Sequence, residues 1–367
     1  MRAAVADSLR AVLAAAWRDS AFPGAFAVAG THEGVLAAAA VGRIDWAAGA
    51  PAPDEHTLWD LASLTKVVVM TTAMMQLVEE GRVSLDAPVQ RYLPDWRGAG
   101  KERVTVRQVL THTSGLPAFI VLPPDVLGRD TVLARVFAVP LDTVPGARMV
   151  YSDLGATLAG LVVERVTGES LDAYARRRIF RPLGMHETMF RPDPTLLPRI
   201  APTEFDPTLG RLVRGEVHDE RARAMGGVSA HAGLFGSAHD LVRFARMYLN
   251  GGVVDGVRVV RGETIALFTR VQDAALSHRA LGWETPNRSN SAGTRLSARA
   301  FGHTGFTGTS LWIDPAADLF VVLLSNRVNP SRENRRIVTV RPRLADAVAA
   351  ARASAATAPR PSAPTPP

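Results

Sequence analysis

The apolar positions of the chain follow helical spacing at its start and alternate like a strand soon afterwards. In residues 1–17 charged side chains interrupt the apolar pattern, which is typical of an amphipathic surface helix. Two β-like runs follow at residues 25–29 and 35–41, and turn residues separate them. This arrangement predicts a β-hairpin directly after the first helix.

The middle of the chain has mainly helical spacing. A predicted helix begins near Ser63 and ends at Gly81, because glycine favours the left-handed conformation found at helix ends. Residues 238–249 predict another helix, closed by a glycine pair. Further helices are predicted between these two, at residues 105–110, 153–166 and 170–180.

Strand-like spacing returns near the end of the chain. Residues 310–313 and 319–324 predict two strands around a turn, and residues 345–353 predict a closing helix. Strands at both ends with helices between them favour an α+β fold over alternating β-α-β units. We therefore expect one antiparallel β-sheet, flanked by N- and C-terminal helices, with a mainly helical region inserted in the middle. A cleft between sheet and insertion is a natural place for a site.

The same pattern predicts a single folded domain, although a length of 367 residues would accommodate two. We place this domain at residues 1–353. Its α/β part covers roughly residues 1–80 and 230–353, and the helical insertion covers roughly residues 81–229. Residues 354–367 are Ala, Pro, Ser and Thr with one Arg, so a disordered tail is expected there.

Composition excludes several classes of protein. The chain has no cysteine, which rules out disulfides, thiol catalysis and Cys-ligated metals. It contains no apolar run of about eighteen residues, so no membrane span is expected. Arg2, Asp7 and Arg10 suit a surface helix better than a secretory signal, and we expect a cytoplasmic protein. If the start codon were misassigned, a signal peptide would be hidden, and a periplasmic or secreted protein would be expected instead.

Arginine supplies nearly all of the positive charge. The net charge is +7, and only Lys66 and Lys101 are lysines among 42 Lys and Arg residues. The arginines are spread along the chain, which favours a solvated basic surface. The densest runs, at residues 176–178 and 332–336, lack the interleaved aromatic residues of a nucleic-acid groove, so no nucleic-acid partner is expected.

Ser63 and Lys66 form the sharpest chemical feature. Residues three apart share one face of a helix, so the serine hydroxyl and the lysine amine can meet. A serine needs a neighbouring base to become a good nucleophile, and lysine can act as that base only when neutral. Arginine cannot replace it because its guanidinium stays protonated. A lysine in this arginine-rich chain is therefore typical of a general base, whereas the alternative is a chance Ser-x-x-Lys with a snorkelling lysine.

Tyr151 and Asp153 form a second candidate pair. Tyr151 precedes a predicted helix, where a loop can present its phenol to carry a proton to a leaving group. A polar side chain two residues later can hold the substrate or the lysine. The alternative is a half-buried tyrosine followed by Asp153 as a helix N-cap.

His303, Thr304 and Gly305 form a third element, just before the late strands. Gly305 and Gly308 allow the backbone to approach a ligand closely. A strand edge here can supply an N–H group to an oxyanion hole, together with the N–H group of Ser63. The alternative is a plain glycine-rich turn.

These three elements, in this order and at these separations, resemble the serine β-lactamase and penicillin-binding protein superfamily. The sequence is most similar to the branch of class C β-lactamases, D-Ala-D-Ala peptidases and family VIII carboxylesterases. That branch pairs Ser-x-x-Lys with Tyr-x-Asn and with Lys-Thr-Gly or His-Thr-Gly. The resemblance covers about residues 20–350 and extends to several other stretches, at residues 61–66, 111–117, 182–185, 227–235 and 325–327.

The resemblance implies a role for each candidate residue. Ser63 would be the acylated nucleophile, and Lys66 and Tyr151 its acid–base pair, with their division of labour left open. His303, Thr304 and Gly305 would form the far wall of the site. The backbone N–H groups of Ser63 and Phe306 would form the oxyanion hole.

Two positions depart from the pattern of that branch. Asp153 stands where the family usually has an asparagine that contacts the acylamide of β-lactams, and an ionised carboxylate only accepts hydrogen bonds. His303 replaces the lysine of the β-lactamase triad and removes a fixed positive charge that would attract a substrate carboxylate. Both changes disfavour efficient β-lactamase action, whereas the histidine form is familiar from peptidases and esterases of the family.

A group of histidines and acidic residues offers a competing interpretation, as a metal centre or a phosphohydrolase site. Its members are His218, Asp219, Glu220, His231, His239 and Asp240. No His-Glu-x-x-His pattern occurs, and Asp240 lies where the first turn of a helix is expected. The family resemblance instead places residues 218–231 in loops along the cleft.

We therefore expect a carboxylesterase-type serine hydrolase of small esters that works through an acyl-enzyme on Ser63. A D-Ala-D-Ala carboxypeptidase, amidase or β-lactamase using the same route is the first alternative. A ligand-binding protein that has lost turnover is the second. The expected partner is a small ester or amide, no cofactor or metal is implied, and the sequence leaves the oligomeric state open.

Overall fold

In the described part of the chain the strands are mostly short and occur in four separate sheets. The computed structural model describes residues 1–123, 126–287 and 289–357. Within them the strands are β1 (Gly24–Gly30), β2 (Val35–Gly42), β3 (Trp59–Asp60), β4 (Met189–Phe190), β5 (Phe205–Asp206), β6 (Arg211–Leu212), β7 (Leu234–Gly236), β8 (Val253–Val254), β9 (Val257–Arg258), β10 (Phe301–Thr304), β11 (Ser310–Asp314) and β12 (Leu319–Ser325).

The helices vary more in length and lie mainly between β2 and β10. In the described part of the chain the α-helices are α1 (Arg2–Arg18), α2 (Thr72–Glu79), α3 (Val106–Leu110), α4 (Arg129–Ala138), α5 (Asp153–Thr167), α6 (Leu171–Ala175), α7 (Arg181–Leu183), α8 (Glu220–Ala224), α9 (Ala238–Leu249), α10 (Gly262–Thr269) and α11 (Ile337–Thr357). Two π-helical segments, Lys66–Thr71 and Arg176–Phe180, lead into α2 and α7. Three short 3₁₀ segments complete the list, at Val89–Arg91, Lys101–Arg103 and Pro194–Arg199.

A five-stranded antiparallel sheet joins the two ends of the chain, in the order β10-β11-β12-β1-β2. The N-terminal β1 pairs with the C-terminal β12 from Ala25–Ser325 to Gly30–Phe320. This pairing confirms the predicted α+β fold, in which one sheet is assembled from both ends of the sequence.

In the central strands β1 and β12 of this sheet both faces are buried, and alternate residues of β12 supply one face each. Its even-numbered residues from 320 to 324 belong to the larger hydrophobic core, which extends under the helical region. Its odd-numbered residues from 319 to 323 belong to a second core with α1 and α11. Alternation of side chains along a strand therefore explains why β12 is apolar throughout.

Helix α1 covers the second face with one apolar stripe. Val5, Leu9 and Leu13 recur every four residues and are fully buried, while the charged side chains lie on the exposed side. Residues four apart share a helix face, so this spacing directs α1 onto the sheet. On the same face, α11 contributes Val340, Leu344 and Val348.

A small three-stranded sheet has the strand order β3-β7-β4. Trp59 pairs with Gly236, and Met189 pairs with Phe235. One end of β3 leads directly to Ser63, so this small sheet positions the candidate nucleophile.

Most predicted elements are present with small shifts at their ends. The predicted helix at residues 238–249 matches α9, and the hairpin matches β1 and β2. Helices α4 and α10 were not predicted, and α11 extends beyond the predicted 345–353 at both ends. Residues 358–367 of the expected tail lie outside the described residues. None of the described helices combines the length and apolar character needed to cross a membrane.

Candidate active site

Ser63 lies in a strained turn between β3 and the helical segment that leads into α2. The preceding Ala62 has φ +46°, in the left-handed region that non-glycine residues seldom adopt. Its N–H donates to the buried carboxylate of Asp60 at 2.8 Å, and the N–H of Leu61 donates to the carbonyl of Leu234. Because these bonds hold the strained backbone in place, Ser63 projects from a rigid support.

Lys66 reaches back to Ser63 across one helical turn. Its Nζ atom donates to Ser63 Oγ at 3.0 Å and to the carbonyl oxygen of His231 at 2.9 Å. The side chain of Lys66 is completely buried. The structure therefore places the predicted nucleophile and its predicted proton acceptor in direct contact.

Asp153 is the charge partner of Lys66. The Lys66 Nζ atom lies 2.7 Å from Asp153 Oδ1, although the contact lacks the alignment of a hydrogen bond. Burial alone lowers the pKa of Lys66, but the charge of Asp153 and the phenol of Tyr151 outweigh it and raise that pKa above its ordinary value. Lys66 is consequently an ammonium group in the resting site.

Asp153 also connects Lys66 to a second set of charges. Its Oδ2 atom lies 3.4 Å from Arg221, which is paired with Asp219, and Asp219 is 2.9 Å from Nε2 of His231. Burial raises the pKa of Asp153, but the charge of Lys66 and the electrostatic interaction with His231 reverse this and lower it. Asp153 is therefore an ionised carboxylate held between two cations.

Tyr151 lies against the lysine through its ring. The Lys66 Nζ atom is 4.9 Å from the centre of this ring, which is flanked by the rings of His112 at 4.6 Å and His303 at 5.9 Å. The Tyr151 hydroxyl is buried and has no hydrogen-bond partner among the described residues. A phenol held in this way is available to a ligand in the cleft.

His112 orients the segment that carries Tyr151. Its Nδ1 atom accepts from the N–H of Ser152 at 3.0 Å, and its carbonyl accepts from the N–H of Val150. The Ser152 hydroxyl donates to Pro117 and accepts from Gly155, capping α5. Burial holds the pKa of His112 well below its ordinary value, so the ring is neutral.

His303 lines the same cavity as Ser63 and Tyr151, and it is also neutral. It lies at the end of β10, and its Nδ1 atom is 2.9 Å from the carbonyl oxygen of Thr304, so Nδ1 carries the proton. Burial, with the nearby charges of Arg279 and Lys66, holds the His303 pKa well below its ordinary value. The unprotonated Nε2 atom faces Arg279 at 3.5 Å.

Arg279 supplies the positive charge that His303 lacks. Its guanidinium carbon lies 5.1 Å from the centre of the Tyr151 ring, and it pairs with Glu284 at 3.1 Å. The Arg279 side chain is only 11% exposed, and it borders the cavity that contains Ser63. The sequence gives no local signal for this role, because Arg279 lies 24 residues before His303 in a chain that contains many arginines.

A tight turn fixes the candidate oxyanion hole. Gly305 passes so close to Leu61 that a Cβ atom would lie 2.4 Å from the Leu61 carbonyl oxygen. Thr307 and Thr309 donate to the carbonyls of Asp60 and Leu61, which ties the turn to the Ser63 support. Within the described residues, the N–H groups of Ser63 and Phe306 make no hydrogen bond to the protein.

The cavity beside Ser63 has a volume of about 480 Å³ and carries an excess of positive charge. Two glutamates, Glu284 and Glu333, face five arginines along its wall. Those arginines are Arg279, Arg327, Arg332, Arg335 and Arg341. A cavity of this size and charge suits a small ligand with a carboxylate group.

The histidine and acidic residues considered as a metal centre do not form one group. His218 pairs with Glu204 at 2.8 Å, and His231 pairs with Asp219 beside the Ser63 site. His239 and Asp240 lie near Glu187 instead. The proposed single cluster is therefore not formed, although Asp219 and His231 do belong to the surroundings of Lys66.

Comparison with known proteins gives a consistent family. The family model described as Beta-lactamase matches residues 9–343. A protein of Salmonella agona (strain SL483) named "Putative D-alanyl-D-alanine carboxypeptidase" is 33% identical over 314 residues, covering 77% of this chain and 72% of that protein. The chain is thus similar to this relative over most of both lengths.

Solved structures show the same fold at lower sequence identity. A penicillin-binding protein homologue from Caulobacter crescentus superimposes with a TM-score of 0.75 at 23% identity, covering 95% of this chain and 97% of that one. EstCE1, described as a hydrolase with promiscuous acyltransferase activity, has a TM-score of 0.75 at 22% identity, covering 94% and 99%. These likenesses establish the fold and leave the reaction to be argued from the site.

Proposed function

The chain belongs to the Beta-lactamase family, and on this premise we propose that it hydrolyses small esters through an acyl-enzyme on Ser63. The observation that carries the proposal is the 3.0 Å hydrogen bond from Lys66 Nζ to Ser63 Oγ at the edge of the cavity. A nucleophile within hydrogen-bond reach of a proton-handling group is the arrangement that covalent catalysis requires.

Acylation begins when Ser63 Oγ attacks the carbonyl carbon of the ester and loses its proton. Lys66 can accept that proton only as a neutral amine, but its pairing with Asp153 keeps it charged at rest. The ammonium must therefore first pass a proton to the Asp153 carboxylate as the substrate excludes water. The neutral amine then takes the Ser63 proton, and the same groups return a proton to the departing alcohol.

The negative charge that develops on the carbonyl oxygen needs fixed donors. The N–H groups of Ser63 and Phe306 are free to donate, and the turn from Gly305 to Thr309 holds them near the nucleophile. Donors that are already oriented stabilise the tetrahedral intermediate without reorganisation. A water molecule attacking the acyl-enzyme would use the same donors in deacylation.

Esters are preferred in this proposal because Asp153 is engaged elsewhere. Its carboxylate lies between Lys66 and Arg221 and has no N–H group to offer to an acylamide carbonyl. An alcohol also leaves more easily than an amine, so an ester makes the smaller demand on the proton-delivering groups.

A second candidate function is removal of a C-terminal amino acid from a peptide, or hydrolysis of a related amide. It is favoured by the arginine-lined cavity next to His303, since Arg279 can bind the carboxylate of such a leaving group. The relative named "Putative D-alanyl-D-alanine carboxypeptidase" is consistent with this candidate. A binding protein without turnover is disfavoured by the direct contact between Ser63 and Lys66.

Steady-state hydrolysis of three substrates tests the proposal. We expect wild-type protein to cleave a p-nitrophenyl ester faster than the matching p-nitroanilide, and Ser63→Ala to cleave neither. Release of D-alanine from a D-Ala-D-Ala peptide, with little ester hydrolysis, would favour the second candidate.

A substitution at Arg279 separates the two candidates. Arg279→Gln should raise KM for a carboxylate-bearing substrate about tenfold or more while it leaves KM for a neutral ester nearly unchanged. Arg335→Gln, at the outer part of the same cavity, is the control for a general loss of positive charge. Equal effects of Arg279→Gln on both substrates would remove Arg279 from carboxylate binding.

A further inference from the structure

A second group of polar side chains lies at the far end of the small sheet from Ser63. It consists of His56, Glu187, His239 and Asp240, which we call the sheet-end cluster. His56 precedes β3, Glu187 precedes β4, and His239 and Asp240 follow β7. Because Trp59 pairs with Gly236 and Met189 with Phe235, the antiparallel register brings these three segments together at one end of the sheet.

The cluster has a buried floor and an accessible rim. The Asp240 side chain is completely buried, whereas His56 and His239 are nearly half exposed. Asp240 Oδ2 accepts from the N–H of Glu187 at 2.7 Å and from the Thr188 hydroxyl at 2.8 Å. Its other oxygen, Oδ1, is directed at His239. A fixed carboxylate oxygen therefore faces His239.

The donor atoms of Glu187, His239 and Asp240 are close enough to share one ion, whereas His56 is paired with Glu187 beside them. His56 Nδ1 is 3.1 Å from Glu187 Oε2, and His239 Nδ1 is 3.2 Å from Asp240 Oδ1. Ligands about 2.0–2.2 Å from a tetrahedral zinc ion lie roughly 3.3–3.5 Å from one another. One donor atom each from Glu187, His239 and Asp240 also lie within 4.8 Å of one another.

His56 lies beside His239 but is not one of the three close donor residues. Their ring centres are 5.4 Å apart with planes tilted by 35°, and a hydrogen bond from the N–H of His239 to the carbonyl of Glu55 ties their segments together. One imidazole and two carboxylates form a mixed nitrogen and oxygen donor set. Such a set suits a divalent transition metal, whereas magnesium and calcium prefer oxygen alone.

The charge around the cluster permits a cation. Glu187, Asp240 and the neighbouring Glu55 bring three carboxylates, and one arginine, Arg199, pairs with Glu187. The Arg199 contact uses Glu187 Oε1, so Oε2 is the oxygen that faces His56. A bound divalent cation would thus neutralise an excess of negative charge.

We propose that the sheet-end cluster is a binding site for a divalent transition-metal ion of the zinc type, with Glu187, His239 and Asp240 as ligands and with His56 holding the Glu187 carboxylate. The ion joins the segments before β4 and after β7 directly, and the segment before β3 through His56. Since the opposite end of β3 leads to Ser63, the ion braces the sheet that supports the nucleophile and takes no part in the chemistry there. The proposal does not depend on the proposed function.

Calorimetric titration of chelator-treated, tag-free protein with zinc chloride tests this site. Wild type should bind one zinc ion per chain, and its melting temperature should rise with zinc. His56→Asn and His239→Asn should each weaken binding at least about tenfold and abolish the zinc-dependent rise. Both histidines are partly exposed, so the variants should fold; their far-UV circular dichroism should match that of wild type.

Two controls make the outcome decisive. His32→Asn removes an exposed histidine that also pairs with a single carboxylate, Asp318, and it should bind zinc like wild type. Ser63→Ala should bind zinc normally as well, which separates this site from the proposed chemistry. Absence of saturable binding to wild type, or equal binding by His56→Asn, His239→Asn and wild type, would overturn the proposal.

Discussion

The Lys66 ammonium lies 2.7 Å from the Asp153 carboxylate, and the lysine side chain is fully buried. An asparagine at position 153 would leave the ammonium without this charge partner. With asparagine at this position, Lys66 could be neutral in the resting site. With Asp153, the resting site holds a buried ion pair, and Lys66 must lose a proton before it can act as a base. This relationship links a single residue type to the protonation state of the proposed catalytic base.

The pH dependence of Asp153→Asn tests this relationship. The carboxylate raises the pKa of Lys66, so its removal lets the neutral amine form at lower pH. The acidic limb of kcat/KM for ester hydrolysis should move down by about one pH unit or more. Asp86→Asn, which removes a surface carboxylate paired with Arg107, is the control and should leave the profile in place. An unchanged profile in Asp153→Asn would mean that Asp153 does not set the charge of Lys66.

Replacing Lys66 by arginine tests whether a removable proton is needed. The arginine of Lys66→Arg keeps the positive charge but cannot become neutral. The activity of this variant should therefore fall to within about tenfold of the activity of Lys66→Ala. Both should fall at least about a hundredfold below wild type in kcat. Lys101→Arg alters the other lysine, which is also buried, and should retain activity. Near wild-type turnover by Lys66→Arg would remove Lys66 as a general base.

The phenol of Tyr151 should matter more for amides than for esters. Tyr151→Phe keeps the ring between His112 and His303 and removes only the hydroxyl. Because an amine must be protonated to leave, hydrolysis of an anilide should fall by a larger factor than hydrolysis of the matching ester. Tyr174→Phe removes a buried hydroxyl bonded to Gln76 and is the matched control. Unchanged rates on both substrates would show that the phenol transfers no proton.

Glu204 should make the free energy of unfolding depend on pH in the acidic range. Burial by itself raises the pKa of Glu204, but hydrogen bonds from His218 and Arg332 lower it to about 2. A carboxyl group whose pKa is lowered by folding stabilises the fold at pH values above its pKa in the unfolded chain, which is about 4.3. That stabilisation is lost as the pH falls towards 2. The contribution at pH 7 is at most about 3 kcal/mol.

Urea unfolding of Glu204→Gln at two pH values measures this contribution. The variant should be less stable than wild type at pH 7, and the difference in free energy of unfolding should shrink at pH 3 because the wild type loses its advantage there. A difference of equal size at both pH values would show that the Glu204 charge is not the cause.

The sequence predicts those parts of the site and fold that depend on local spacing. Ser63 and Lys66 are three residues apart, and a single turn of chain, closed by the hydrogen bond from the Lys66 N–H to the Ser63 carbonyl, brings them together. The alternation along β12 and the stripe of Val5, Leu9 and Leu13 similarly predict buried faces. These features need no knowledge of distant residues.

Contacts between distant residues could not be predicted in this way. Asp153 contacts Lys66 although it lies 87 residues further along the chain. Arg279 contacts His303 only because the folded chain brings both residues to the cavity wall. The loss of positive charge expected from His303 is offset by Arg279, which no local pattern distinguishes. The two-residue strands β3 and β4 are likewise too short to show a period and are formed by pairing with β7.

Intact-protein mass spectrometry after brief exposure to a p-nitrophenyl ester tests the central claim most directly. Wild type should gain the mass of one acyl group and Ser63→Ala should gain none, since the account makes Ser63 Oγ the attacked and acylated atom. The same measurement with a β-lactam shows whether that reagent also acylates the protein. An adduct that forms equally on Ser63→Ala, or ester turnover that persists in that variant, would contradict the account.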